Sequence, residues 1–319
     1  MKRELRMEGL LRKDDEFVRP LLHIGYHKTG TTWLQRHVFG DSGAGFSQMG
    51  GAQRLIAINA FDFRPRRIRK QMERRIGQAQ AQGLVPVLSS ERLSGEPHFG
   101  GYDSEVIADR LAAVFPNARI LVVVREQTSM FLSIYKEYIR RGGAASLRQY
   151  LATPRDGYWL PQFRFEFLEY HRLIGYYQDL FGAESVMVLP YELLRAQPWT
   201  FLGQIGEFVG VPAVQPQVRP VNVSLSAFAL GLKRHANRYF VLDGPVNPAP
   251  PFDFPTSNEM LERICRMLDA KLPVSLHDRQ EHRWRRRAAL EVGTRYAQSN
   301  TITAGLTGLD LRAFRYACD

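Results

Sequence analysis

Apolar residues fall along this chain in short β-branched runs separated by longer amphipathic stretches. Leu21-Leu22-His23-Ile24-Gly25-Tyr26 reads as a buried strand that breaks at His27-Lys28-Thr29-Gly30 and resumes as a helix through Thr31-Thr32-Trp33-Leu34-Gln35. From Arg64 to Gln82 the composition is helical and basic. Leu84-Val85-Pro86-Val87-Leu88-Ser89 is a second strand, ending at Ser90-Glu91. Between Ser104 and Phe115, Val106, Ile107, Leu111 and Val114 recur at helical spacing. Ile120-Leu121-Val122-Val123-Val124, bounded by Arg125, is the clearest central parallel strand. A helix follows from about Thr128 to Arg140, stopped by Gly142-Gly143.

Further on, Gln162 to Phe181 is helical and aromatic-rich, and Ser185-Val186-Met187-Val188-Leu189 is a strand closed by Pro190. A helix from about Thr200 to Val209 comes next. Strands alternating with helices imply an α/β fold of the P-loop-like kind, a parallel sheet with helices on both faces. Beyond Gly210 the strand signals fade. Asp243 to Pro251 is a proline-rich loop, and helices are expected over Ser257–Ala270 and Arg279–Gln298. The expected organisation is a single domain over residues 1–319, with a core at about 20–210 and a helical extension at about 211–319.

Composition narrows the function classes. Hydrophobic residues make up 45% and charged residues 24% of the 319, which excludes wholesale disorder. Cys265 and Cys318 are too few for a disulfide scaffold or a Cys-rich metal site. No apolar run approaches the roughly 20 residues that span a bilayer, and the N-terminal stretch lacks the apolar centre of a signal peptide. A soluble protein of the cytoplasm, with no transmembrane segment, is the resulting expectation. The formal charge of +11 suits anionic ligands. Two basic clusters, around 64–75 and at 283–287, are either solvated helix faces or a substrate-binding surface. Nucleic acid is not expected, because no zinc-finger or RNA-recognition signature accompanies them.

The segment Gly25-Tyr26-His27-Lys28-Thr29-Gly30-Thr31-Thr32 joins strand to helix, where backbone N–H groups and the helix dipole converge on an anion. Its glycine spacing matches the nucleoside-triphosphatase loop GxxxxGK[ST], but Thr31 stands where that motif has lysine. The positive charge lies inside the loop, at Lys28. That arrangement favours a phosphate loop that does not hold a nucleoside triphosphate.

Tyr26-His27-Lys28-Thr29-Gly30-Thr31-Thr32-Trp33 resembles the 5′-phosphosulfate loop of the sulfotransferases that use 3′-phosphoadenosine 5′-phosphosulfate (PAPS), whose common form is YPKSGTTW or HKTGTT. His27 departs from the proline of the cytosolic enzymes and is similar to the carbohydrate-type and bacterial members. The family's second motif, a strand-terminal Arg with a Ser on the next helix, binds the 3′-phosphate. Arg125 and Ser133 resemble it here. Tyr191, in Val188-Leu189-Pro190-Tyr191-Glu192, resembles the tyrosine that contacts the adenine, although a core position is an equal reading. Gln298-Ser299-Asn300 and Thr307-Gly308-Leu309-Asp310-Leu311 resemble the end of many bacterial members.

The resemblance implies transfer of a sulfuryl group from PAPS to a hydroxyl acceptor, releasing 3′,5′-ADP, without a metal. His27, Lys28, Thr29, Gly30, Thr31, Thr32 and Trp33 would form the cofactor loop together with Arg125, Ser133 and Tyr191. Lys28 would stabilise charge on the leaving group, because such transfer is catalysed mainly by positioning and electrostatics. The family places a His or Glu base after the strand that follows the loop helix, and Glu91 occupies that place. His98, expected to be exposed in a Gly-rich loop, and His27, expected to support the cofactor loop, are rival bases. Walls for the acceptor are the basic helix Arg66–Arg75, the loop Ser94–Tyr102 and the segment Tyr158–Phe163. A glycan or glycolipid is the first expectation, a small alcohol or phenol the second. The alternatives are an ATP-dependent P-loop kinase and a non-enzymatic binder of anionic polysaccharide.

Overall fold

The computed structural model describes residues 19–151, 163–212, 225–240 and 257–319. Among these described residues there are five strands: β1 (Leu21–His23), β2 (Phe46–Met49), β3 (Val85–Ser89), β4 (Arg119–Val124) and β5 (Val186–Pro190). The helices of the first half are α1 (Thr31–Leu34), α2 (Gln53–Ile56), α3 (Pro65–Gln80), α4 (Ser104–Val114), α5 (Gln127–Arg140) and α6 (Leu147–Leu151). Those of the second half are α7 (Tyr170–Phe181), α8 (Tyr191–Ala196), α9 (Pro198–Val209), α10 (Ala227–Phe240), α11 (Ser257–Asp269), α12 (Val274–Val292) and α13 (Ala297–Thr307).

All strand pairings are parallel, in the order β2-β3-β1-β4-β5. Leu21 pairs with Val87 on one side and Arg119 on the other. The two faces of the sheet follow from the two-residue period of a strand. Leu22, Leu88, Ile120, Val122 and Val124 face a core that includes residues of α3, α4, α5 and α7. Leu21, Val87, Leu121 and Val123 face a second core with Leu34, Val38, Phe39 and residues of α8 and α9. Both faces are therefore covered, and the sheet interior excludes water.

The chain leaves β1 toward β2 on one side, and after β3 it crosses to β4 on the other. The order thus reverses between β1 and β4, where open α/β sheets leave a crevice at their C-terminal edge. Pairing continues there beyond β1: Ile24 N–H donates to Leu121 O at 3.0 Å and Tyr26 N–H to Val123 O at 3.1 Å. Residues 24–26 are therefore extended and bonded on one side only, so the expected strand 21–26 shrinks to 21–23.

Three sequence expectations change. Phe46–Met49 forms an edge strand that the apolar pattern conceals, because two of its four residues, Ser47 and Gln48, are not buried. The stretch ending at Phe181 is not one helix. Phe165–Leu168 makes a tight turn of 3-10 geometry before α7 begins at Tyr170. The single helix expected over 279–298 is two helices, because Gly293 at φ 49° ends α12 and the chain restarts at Ala297. The proline-rich loop and Tyr158–Gln162 lie outside the described residues.

The C-terminal helices rest on the same face as α5 and α7. Asn300, fully buried, accepts from Gln127 Nε2 at 2.5 Å and donates to Ala317 O at 2.7 Å. Tyr316 donates to Glu192 Oε2 at 3.0 Å, and Glu192 Oε1 accepts from Glu126 N–H. These bonds fix the chain's tail beside the start of α5. No helix among the described residues is long and apolar enough to cross a membrane.

Candidate active site

The loop after β1 is shaped by its backbone. Lys28 adopts φ 64°, a left-handed conformation that costs an L-residue about 1–2 kcal/mol, and Gly30 adopts φ 86°. Between them the fully buried Thr29 donates its hydroxyl to Tyr26 O at 2.5 Å. A side chain at Gly30 would meet Leu194 Cδ2 at 2.9 Å and the Tyr191 ring at 3.3 Å, so α8 presses directly on the loop. The first helical bond is Leu34 N–H to Gly30 O at 3.0 Å. The N–H groups of the first turn have no intrahelical acceptor, as at any helix start. Thr31 is buried and its Oγ1 has no protein partner, whereas Thr32 is exposed. Trp33 is half-buried against His37.

Arg125 sits at the end of β4, beside this loop. Its Nη1 donates to Lys28 O at 3.0 Å and its Nε to Ser129 Oγ at 2.7 Å. Its guanidinium lies 5.0 Å from the centre of the Tyr191 ring. Among the described residues Nη2 makes no hydrogen bond, so one arm of the fork remains for an anion. Tyr170 donates to Arg125 O at 2.5 Å, and its ring packs edge-on against Tyr26. The hydroxyl beside Arg125 is thus Ser129, which the sequence reading passed over. Ser133 lies one helical turn further along α5, half-buried, with no hydrogen bond to Arg125.

Glu91 opens a tight turn, Glu91–Ser94, directly after β3. The turn is held beside β1: Ser90 N–H donates to His23 O at 3.2 Å, and Gln35 Nε2 to Ser89 O at 2.9 Å. The Glu91 carboxylate is half-buried and, among the described residues, makes no hydrogen bond or ion pair. Burial raises its pKa above the ordinary glutamate range, while the Lys28 ammonium opposes the shift.

The rival bases behave differently. His27 is buried with both ring nitrogens unpartnered, and burial drives its pKa down to about 3. His98 is not exposed as expected. It is partly buried, its Nδ1 lies 2.9 Å from Tyr150 OH, and burial lowers its pKa to about 4. A base works best when its pKa approaches the working pH, so both histidines are weaker candidates than Glu91.

Sequence reasoning missed the group that holds the lysine. Glu137 on α5 accepts from Lys28 Nζ at 3.4 Å, from Arg140 at 2.7 and 2.8 Å, and from Arg141 Nε at 3.1 Å. Only the spacing of Glu137 to Arg140 and Arg141 was visible beforehand, as three- and four-residue helical pairs.

Other candidate surfaces are more ordinary. Arg66, Arg67 and Arg74 on α3 are exposed, but Arg69 donates to Ala113 O at 2.5 Å and Arg75 to Gly50 O, so part of that cluster anchors the helix. On α12, Arg285 pairs with Glu281 and Arg287 with Glu291. Phe163 is buried against Tyr150 and Phe131, which makes it core rather than an acceptor wall. Among the described residues no three His, Cys, Asp or Glu side chains gather as a metal site would.

The model of the sulfotransferase family matches residues 106–216. That span contains Arg125, Ser133, Glu137 and Tyr191; the loop at 25–33 and Glu91 lie before it. No curated protein matches the chain. Among solved structures, a sulfotransferase from Alicyclobacillus acidocaldarius is similar at 18% identity over 64% of this chain and 86% of that one, with a TM-score of 0.49. The sulfotransferase domain of the curacin biosynthetic pathway is similar at 14% identity over 78% and 97%, TM-score 0.40. That of the olefin synthase of Synechococcus PCC 7002 is similar at 15% over 82% and 98%, TM-score 0.36.

Proposed function

We propose that this protein transfers a sulfuryl group from PAPS to a hydroxyl acceptor, working as one α/β unit with its helical extension. The observation that carries the reading is the meeting of two anion-binding elements at the β1/β4 crevice. The Lys28 loop ends one strand, Arg125 ends its neighbour, and Arg125 is bonded to the Lys28 carbonyl. The sulfotransferase-family match over residues 106–216 supports it from a second direction, because that segment carries Arg125.

The residues present fit the donor. The unpartnered Thr31 hydroxyl and the first-turn N–H groups suit a 5′-phosphate, with Thr29 and Gly30 fixing the turn. The spare arm of Arg125 suits a 3′-phosphate, with Ser133 available on α5. Tyr191, pinned beneath Arg125, offers a ring face to the adenine. PAPS supplies the activated sulfuryl group and a nucleotide leaving group. Lys28 lends its ammonium to the charge that develops as the bond to that leaving group lengthens. Glu91, unpartnered at the adjoining strand end, takes the proton from the attacking hydroxyl. His27 packs the floor of the loop as a neutral imidazole.

The acceptor we favour is a carbohydrate or glycolipid hydroxyl, with a small alcohol or phenol next; profiling with labelled PAPS decides between them. The donor is tested first, by thermal shift with 3′,5′-ADP, ATP with Mg²⁺, and heparin. A ligand at about 100 times its Kd stabilises the folded state by about 2.7 kcal/mol. We expect 3′,5′-ADP to raise Tm and ATP with Mg²⁺ not to. A rise with ATP and Mg²⁺ alone makes the protein a kinase, and a rise with heparin alone makes it a polysaccharide binder.

A further inference from the structure

We infer that Glu137 is a positioning residue: it draws the Lys28 ammonium onto helix α5 and thereby leaves the Glu91 carboxylate unpaired and able to accept a proton. The inference rests on the reading of Glu91 as the base.

Two carboxylates compete for one lysine at this corner. Lys28 is the charged group that acts most strongly on Glu91, yet its Nζ contacts Glu137 at 3.4 Å. Glu137 is the better anchor. Its side chain is 8% exposed, and Arg140 and Arg141, both 49% exposed, still donate to it.

 Both arginine side chains reach inward to the same buried carboxylate. Arg140 grips it with two bonds and Arg141 with one, and the lysine contact is the longest of the four. Glu137 therefore stays ionised, with its pKa held down to about 2 against the cost of burial.

Glu91 faces Lys28 from the β1–α1 loop, and Glu137, Arg141 and Arg140 from α5. Arg92, on its own turn, is engaged by Glu96 and Asp103, while burial keeps the nearby His27 and His98 neutral. If Glu137 were neutral, Lys28 would lose its stronger partner and turn to Glu91. An opposite charge at contact lowers a carboxylate pKa by about 1–3 units, which would spoil it as a base.

The test is a carboxyl-carbon NMR titration of Glu91 in the full chain, labelled at the glutamate side chains and assigned with Glu91→Gln. We expect the Glu91 midpoint to fall by about one unit or more in Glu137→Gln. In Lys28→Met it should rise, and the double variant should show a smaller fall than Glu137→Gln alone. Should Glu137→Gln not fold, Glu137→Asp keeps the charge but withdraws it from Lys28, and an intermediate fall is expected. An unmoved or raised Glu91 midpoint in the folded variant overturns the inference. The acid limb of kcat/KM with PAPS reads the other premise separately: a midpoint that falls while that limb stays fixed removes Glu91 as the base.

Discussion

The loop after β1 and the Glu91 corner after β3 end neighbouring strands, yet they are made of different materials. The loop is a backbone construction: left-handed Lys28 and Gly30 bracket a buried threonine, and α8 leaves no room for a side chain at Gly30. The corner is a balance of side-chain charges, with Glu91 unpaired and Glu137 gathering Lys28, Arg140 and Arg141. Backbone conformation is dictated by a few adjacent residues, whereas a charge balance depends on residues brought together from distant parts of the chain. Lys28 belongs to both, and its removal should therefore have the largest effect. Lys28→Met is expected to lower kcat by about two to three orders of magnitude, the usual cost of losing one electrostatic stabiliser of the transition state. Single-turnover rates with PAPS, set beside calorimetric binding of 3′,5′-ADP, separate that loss from weakened donor binding; a kcat within a few-fold of wild type would take Lys28 out of the chemistry.

The corner alone is broken by Glu91→Gln. Loss of a general base costs about 10²–10⁴ in rate, with 3′,5′-ADP binding retained. The pH dependence carries a definite sign. Glu91 must be ionised to accept a proton, so kcat/KM should fall as pH drops through its midpoint, and burial puts that midpoint above the ordinary glutamate range. In Glu91→Gln this acid limb should vanish. A surviving limb would hand the role to another group, although His27 and His98, at about 3 and 4, are poorly placed to take it.

The same contrast explains what was legible in the sequence. The strands at 85–89, 119–124 and 186–190 were read to within a residue or so, because buried parallel strands are uninterrupted apolar runs. The loop was legible because its glycines, lysine and threonines are contiguous. Phe46–Met49 was not, since half of this edge strand is polar, and neither was the break at Gly293, inside what reads as a continuous helix. In the sequence Glu137 stands only at ordinary helical ion-pair spacing from Arg140 and Arg141, and folding alone brings Lys28 to it. Ser129 was overlooked for a related reason, because the motif directs attention to Ser133, whereas the folded helix sets Ser129 against Arg125.

On the donor side, Arg125→Gln should weaken 3′,5′-ADP binding by about ten- to a hundredfold, since a hydrogen bond to a charged group contributes about 1.5–3 kcal/mol. The comparison ligand is 5′-AMP, which lacks the 3′-phosphate. If Arg125 reads that group, the loss for 5′-AMP should be much smaller; equal losses would mean that Arg125 acts through the Lys28 carbonyl it holds at 3.0 Å.

The smallest effect sharpens the assignment of the hydroxyls. Ser129 accepts from Arg125 Nε at 2.7 Å, so it orients the guanidinium, while Ser133 is half-buried one turn away and makes no bond to it. A serine that touches the 3′-phosphate directly should lose about 0.5–1.5 kcal/mol of binding on conversion to alanine, roughly two- to tenfold. Ser133→Ala is expected to show that loss for 3′,5′-ADP and none for 5′-AMP, with the Arg125 geometry intact. Ser129→Ala should act through the arginine, so combining it with Arg125→Gln should add little. Ser133→Ala with unchanged affinity for both nucleotides would leave Arg125 as the sole reader of the 3′-phosphate on this side of the crevice.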